Sequence, residues 1–131
     1  MFRSNPPIPG QFSQQLLYVL RSANMAVTTD QTFTKVGSFT NYMPSGIVVV
    51  WKSGAFGTAC AGGIYTAATK GGTAIVAAAQ SYAALTAAGT AVTTTIAATS
   101  AYFTATPILS LTTGNTGALT ADIFVFGYVV D

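Results

Sequence analysis

The sequence predicts an all-β protein, an antiparallel sandwich or barrel, and three observations carry that expectation. Short runs of β-branched and aromatic residues recur at a spacing of roughly 8 to 12 residues. Turn signals such as Thr69-Lys70-Gly71-Gly72 and Gly114-Asn115-Thr116-Gly117 separate them. No stretch carries a leucine-rich stripe or opposed charges able to hold a helix on a core. At 131 residues and 13.4 kDa the chain reads as one domain, long enough to bury roughly two-thirds of its unfolded surface.

Residues 1–24 differ from the rest. Asn5-Pro6-Pro7-Ile8-Pro9-Gly10 cannot join a regular ladder, because proline offers no amide donor and fixes its own φ, so this piece is extended or looping. Phe12, Leu16, Leu17, Val19 and Leu20 then follow a spacing that suits a short helix, while Tyr18-Val19-Leu20 equally suits a strand. We read 1–24 as an N-terminal arm, extended or partly helical, ahead of a β-sandwich domain over 25–131. Such an apolar arm either packs on its own domain or docks on a neighbour.

Beyond the arm the elements are strands. Thr32, Phe33, Thr34 and Val36 favour one, and Ile47-Val48-Val49-Val50-Trp51 is a β-branched run opened by Pro44-Ser45-Gly46 and closed by Lys52-Ser53-Gly54. Residues 64–68 and 73–77 flank a hairpin turn whose paired glycines supply positive φ. The alanine-dense stretch 74–91 favours helix by propensity, but Thr73, Thr86, Gly89 and Thr90 interrupt it, and we expect at most one helical turn near Ser81 to Leu85. Val92, Thr94 and Ile96 share one side of a further strand. Leu109 and Leu111 oppose Ser110 and Thr112 in the next, and the last strand starts near Leu119 and forms a hairpin with it. With a two-residue period, this last strand puts Ala121, Ile123, Val125 and Val129 on one face and Phe124, Phe126, Tyr128 and Val130 on the other. Neither face is wet. A lone domain needs only one apolar face here, so something must cover the second.

Charged residues make up 6% of the chain, against about 25% in ordinary soluble domains. Arg3, Arg21, Lys35, Lys52 and Lys70 stand singly against Asp30, Asp122 and Asp131. No cluster neutralises several phosphates, so nucleic acid is not an expected partner. The near-neutral surface offers little repulsion between copies and points to life in an assembly. No apolar run approaches the roughly 20 residues of a membrane-spanning helix, and no membrane partner is expected. The start lacks the apolar centre of a signal peptide, which suggests synthesis and retention in a cytoplasm.

The chemistry of catalysis is sparse. Histidine is absent, Cys60 is the single cysteine and reads as a small buried hydrophobe, and no Cys/His metal site can be built. We expect no cofactor. Acid/base work would rest on Asp30 and Asp122, which read instead as turn caps or exposed neighbours of strands. Lys70-Gly71-Gly72-Thr73 has the wrong order for a phosphate loop. The expectation is a non-enzyme. What remains is surface: Trp51, Phe124, Phe126 and Tyr128 belong either to the core or to an exposed patch that anchors a partner.

Ala61-Gly62-Gly63-Ile64-Tyr65-Thr66-Ala67-Ala68, Thr73-Ala74-Ile75-Val76-Ala77, Leu109-Ser110-Leu111-Thr112-Thr113 and Thr120-Ala121-Asp122-Ile123-Phe124-Val125-Phe126-Gly127 together resemble small β-sandwich structural proteins of tailed-bacteriophage virions, the group that includes capsid cement or decoration proteins. The resemblance covers residues 25–131 and is one of style, with no catalytic motif. It implies a jelly-roll-like sandwich on the capsid exterior, made in the host cytoplasm, that stabilises the head by binding the major capsid protein and its own copies as a trimer or dimer. No functional residue is carried over from the resemblance; the residues themselves place the expected partner interface on Phe2, Arg3, Pro7, Ile8, Phe12, Leu17 and Tyr18 of the arm, and on Phe124, Phe126 and Tyr128. A head-fibre or tail-fibre module binding host glycans is the alternative. A monomeric enzyme is the third reading and predicts a concave pocket with a displaced carboxylate pKa at Asp30 or Asp122.

Overall fold

The structure, a computed structural model, describes residues 14–99 and 101–131. These form β1 (Gln15–Asn24), β2 (Gln31–Thr32), β3 (Thr34–Lys35), β4 (Tyr42–Ser53), β5 (Ala61–Ala67), β6 (Gly71–Val76), β7 (Ala91–Thr93), β8 (Ile108–Thr113) and β9 (Thr120–Val129). No helix occurs among the described residues.

Two antiparallel sheets pack face to face, one ordered β3-β1-β9-β4-β7 and the other β2-β8-β5-β6. The pairs β1 with β9, β2 with β8, β4 with β7 and β5 with β6 are nested in sequence, like one long hairpin. Rolling that hairpin up adds the contacts β4 with β9 and β5 with β8. This is the strand order of a jelly roll, and each sheet contributes one face to a shared core. Leu17, Ile47, Val49, Ile64, Ile75, Leu109, Leu111, Ile123 and Val125 are all fully buried there.

The sandwich starts earlier than the sequence suggests. The second half of the expected arm is β1, paired residue by residue with β9 from Gln15 opposite Gly127 to Asn24 opposite Thr120. A bulge between Leu16 and Tyr18 breaks the two-residue alternation, which is why the apolar spacing also suited a helix. The boundary at residue 24 is therefore corrected: β1 belongs to the domain. Residues 1–13, with Phe2, Arg3, Pro7, Ile8 and Phe12, lie outside the described residues.

Other expectations shift for local reasons. The strand around Ile47 to Trp51 extends back to Tyr42, with Pro44 tolerated at a bulge where the ladder asks for no amide. The β5–β6 hairpin forms, but the positive φ values at its tip fall on Thr69 (56°) and Lys70 (60°) as well as on Gly72. β8 and β9 do not pair: they lie in different sheets, and Gly114 to Gly117 turns the chain across the sandwich. Residues 77–90 are held by their two large apolar side chains. Tyr82 and Leu85 are fully buried, and a single turn bonds the Leu85 amide to the Tyr82 carbonyl at 3.1 Å. Cys60 is buried, and burial raises its thiol pKa.

An aromatic cluster closes one end of the core. Tyr18 meets Phe39 and Tyr42 edge-on at 5.5 and 5.0 Å between centroids, and Phe103 packs on Tyr42 at 6.1 Å. The Tyr42 hydroxyl donates to the Ala105 carbonyl at 2.6 Å. Burial raises the pKa of Tyr18, Tyr42 and Tyr82 above the ordinary phenol value, with Tyr18 adding to the effect at Tyr42. A raised folded-state pKa contributes stability that is complete below the unfolded value near 10 and is lost as pH climbs through the folded value. Asp30 and Asp131 act in the opposite sense. Amides of Thr69, and of Thr40 and Asn41, hold their carboxyls below the usual range, so their contribution is present above about pH 4 and fades on acidification. Urea midpoints should thus be flat from about pH 5 to 8, with the Cys60 thiol beginning to lower them above the ordinary thiol value. Above about pH 10 unfolding free energy should fall by up to roughly 1.4 kcal/mol per pH unit for each of Tyr42 and Tyr82.

Candidate functional site

β9 lies at the centre of the five-stranded sheet and alternates as its sequence requires. Ala121, Ile123, Val125 and Gly127 are buried against the core, while Asp122, Phe124, Phe126 and Tyr128 face outward and are half-buried. The aromatic residues therefore stand on the outer face of the sheet, away from the other layer. Trp51, opposite Ala121, turns the other way and packs against the core.

Strand register decides what surrounds them. Phe124 stands between Val19 of β1 and Val48 of β4, Phe126 between Leu16 and Gly46, Tyr128 beside Met43, and Asp122 beside Val50. Gly46 brings no side chain, which leaves the Phe126 ring uncrowded on that flank. Leu16, Met43, Val48 and Val50 are each half-buried, so the outer face is a continuous apolar band across the three long strands. Toward β3 it continues into a shallow groove of about 560 Å³ between Leu16, Val19, Thr34 and Val36, the last 40% exposed.

Three charged side chains of this sheet meet in one corner, while Lys35 of β3 and Asp131, just beyond β9, lie elsewhere. The Arg21 guanidinium and the Lys52 amine lie 3.4 and 3.7 Å from Asp122 Oδ2, and the Ser22 amide donates to Asp122 Oδ1 at 2.8 Å. Arg21 also covers the Phe124 ring, 5.1 Å from its centroid. Ion pairs this exposed contribute little stability. Their effect here is spatial: they gather at the start of β9, away from Phe126, Met43 and Val48.

The opposite sheet is different in kind. Ser110 of β8 is 1% exposed, and the Lys70 amine donates to its hydroxyl at 3.1 Å. Asp30 accepts the Thr69 amide at 2.8 Å, tying the hairpin tip to the segment before β2. Asp30 thus caps the hairpin tip, while Asp122 accepts the Ser22 amide at the second bulge of β1, and the two serve different places. A second cleft, of about 580 Å³, opens beside the start of β9 and is lined by Ser22, Asn24, Thr116 and Thr120 with flanking small residues. Its polar groups are engaged within the chain: Asn24 Oδ1 accepts the Ala26 amide, Thr116 Oγ1 the Thr58 amide, and the Thr120 hydroxyl lies 2.7 Å from that of Ser53. No aromatic ring lines it.

Of the interface residues expected from sequence, Phe124, Phe126 and Tyr128 come together on one face. Leu17 and Tyr18 do not join them. Both are fully buried, because the bulge in β1 turns two consecutive side chains into the core, and they are removed from the interface. The sequence reading missed Leu16, Val19, Met43 and Val48, whose membership depends on register. It also missed Tyr102, 65% exposed beside the Tyr42–Phe103 bridge. Comparison with protein-family models, with curated proteins and with solved structures gives no match to this chain.

Proposed function

We propose that this chain is a non-enzymatic virion structural protein of the capsid cement type, which binds the major capsid protein and its own copies on the outside of a phage head. The observation that carries the reading is the outer face of the five-stranded sheet: Leu16, Val19, Met43, Val48, Phe124, Phe126 and Tyr128 form an apolar surface on a protein whose other resources for chemistry are slight. A face of this kind is what a second protein layer covers. The jelly-roll order supports it as a rigid platform, and the scarcity of surface charge fits a protein held in an assembly. Phe2, Ile8 and Phe12, from the arm expected over 1–24, are proposed to add apolar contacts to a neighbouring subunit. Binding only the assembled shell would stabilise it by mass action.

Purified protein should cosediment with capsids that lack it and raise their resistance to heat. Deleting residues 1–12 should weaken that binding at least tenfold. Binding to host-surface glycans without affinity for capsids would overturn the reading in favour of a fibre module, and binding unchanged by the deletion would remove the arm's role.

A further inference from the structure

We infer that Arg21 and Lys52, at one corner of the five-stranded sheet, form a docking point for a carboxylate of a different protein, carried on a segment whose apolar residue lies on Val19, Phe124 and Val48. The inference rests on the reading that this face is a protein contact, and it names the chemistry of the partner at one end of it.

The cations of the described residues are unequally committed. Lys35 donates to the Phe39 carbonyl at 2.6 Å and lies 4.6 Å from the centre of the Phe39 ring, and Lys70 donates to the Ser110 hydroxyl at 3.1 Å. Each holds a loop of its own chain. Arg21 and Lys52 share a single acceptor atom, Asp122 Oδ2, at 3.4 and 3.7 Å, while Asp122 Oδ1 takes the Ser22 amide. One carboxylate oxygen thus serves two cations, and the corner keeps a charge of +2 − 1 = +1. The carboxylate is sunk and the cations stand clear of it: side-chain exposure is 15% for Asp122, against 66% for Arg21 and 44% for Lys52.

Placement makes that surplus a recognition feature. Arg21, Asp122 and Lys52 gather across β1, β9 and β4, and the next outward row along these strands is Val19, Phe124 and Val48. The Phe124 ring supports the Arg21 guanidinium at 5.1 Å, so the planar fork is held in place and has little rotamer freedom left to lose on binding. A carboxylate accepts two parallel N–H bonds from such a fork. Outward rows on a strand are about 7 Å apart, which is also the spacing of side chains two residues apart in an extended partner. The fit is to an acidic residue followed two positions on by an apolar one. A second copy of this chain offers no side-chain carboxylate for the purpose: Asp30 accepts the Thr69 amide, Asp122 the Ser22 amide, and Asp131 the amides of Thr40 and Asn41. Nucleic acid fits poorly, because Asp122 stands between the two cations and an apolar row borders them, where a phosphate backbone asks for a line of uncompensated positive charge.

Heteronuclear NMR of the full chain with two blocked synthetic peptides tests this: Glu-Thr-Leu-Thr-Glu-Thr-Leu, and the same peptide with glutamine for glutamate. At about 0.15 M salt the acidic peptide should shift the Arg21 Nε–H signal and the amides of Val19, Phe124 and Val48, and bind at least tenfold more tightly than the glutamine peptide. The preference should fade as salt is raised. Arg21→Gln combined with Lys52→Gln, both at exposed side chains, should abolish it, while Lys70→Gln on the other sheet leaves it intact. An acidic peptide that binds this corner no better than its glutamine counterpart, or a double variant that keeps the preference, overturns the inference. A short DNA duplex that binds the corner more tightly than the acidic peptide overturns it in favour of phosphate. Cosedimentation with capsids that lack the protein separates the two readings: capsid binding indifferent to salt and to the double variant sinks the docking point alone, whereas acidic-peptide preference without capsid affinity sinks the virion role alone.

Discussion

Replacing Asn115 by alanine should lower the unfolding free energy by about 3 to 4 kcal/mol, with a fall in Tm of roughly 10 °C. The side chain is 3% exposed and fully employed. Its Oδ1 accepts the amides of Gly57 at 3.1 Å and Gly117 at 2.7 Å, and its Nδ2 donates to the Thr58 carbonyl at 2.6 Å. Its own amide donates to the Met25 carbonyl at 2.7 Å. Each of these partners lies in a segment that passes from one sheet to the other: after β1, between β4 and β5, and between β8 and β9. One residue thus ties three crossings at one end of the sandwich, two through its side-chain amide and the third through its backbone N–H. Alanine keeps the backbone bond to Met25 but removes the side-chain links, leaving two N–H groups and a carbonyl without partners in a site too enclosed for easy hydration, at about 1 kcal/mol or more each. Asn115→Asp keeps the acceptor and loses the donor, and should cost less than alanine provided its carboxylate stays ionised. Urea denaturation measures both; a loss under 1 kcal/mol for alanine would show that the crossings hold without the side-chain links.

Tyr82→Ala should be the most damaging single truncation in the long connection between β6 and β7, at about 4 to 5 kcal/mol, whereas Tyr82→Phe should cost only about 1 to 1.5 kcal/mol. The segment is rich in alanine and threonine and has little else with which to grip the core. Tyr82 is fully buried; its hydroxyl donates to the Gly62 carbonyl at 2.9 Å and its amide to the Cys60 carbonyl at 2.9 Å. The Gly62 amide in turn donates to the Gln80 carbonyl at 3.0 Å. Phenylalanine keeps the ring and sacrifices one neutral hydrogen bond. Alanine opens a cavity of ring size and frees the segment from the start of β5. The difference between the two variants isolates packing from hydrogen bonding. Equal losses would mean that the hydroxyl, not the ring, holds the connection.

Much of this fold is legible in the sequence because a strand's period survives wherever the ladder is regular. On β9 the alternation from Ala121 to Tyr128 predicts which side chains face the core and which face outward, and the structure follows it. Val92, Thr94 and Ile96 likewise turn inward together. The reading fails at irregularities. The β1 bulge places Leu17 and Tyr18 on the same side, a pattern indistinguishable in sequence from a short helical stripe. Gly114 to Gly117 supplies the same turn chemistry to a hairpin and to a crossing; the decision lies with Met25, Gly57 and Thr58, distant in sequence. The candidate site shows the same division. Its three aromatic residues are readable from period alone, but the apolar neighbours that make them a surface arrive by pairing register, which no local pattern records. Tyr102 sits in a connection without regular structure and carries no signal of its exposure.

The central claim is that the outer face of the five-stranded sheet is covered by protein. Hydroxyl-radical footprinting of the purified chain at high and low concentration, read out by mass spectrometry, tests it most directly. Met43, Phe126 and Tyr128 should be oxidised several-fold more slowly at 200 μM than at 1 μM, while Tyr102, outside the face, keeps one rate throughout. Equal rates for Met43, Phe126 and Tyr128 at both concentrations, in a chain that sediments as a monomer and is no better protected on capsids, would contradict it.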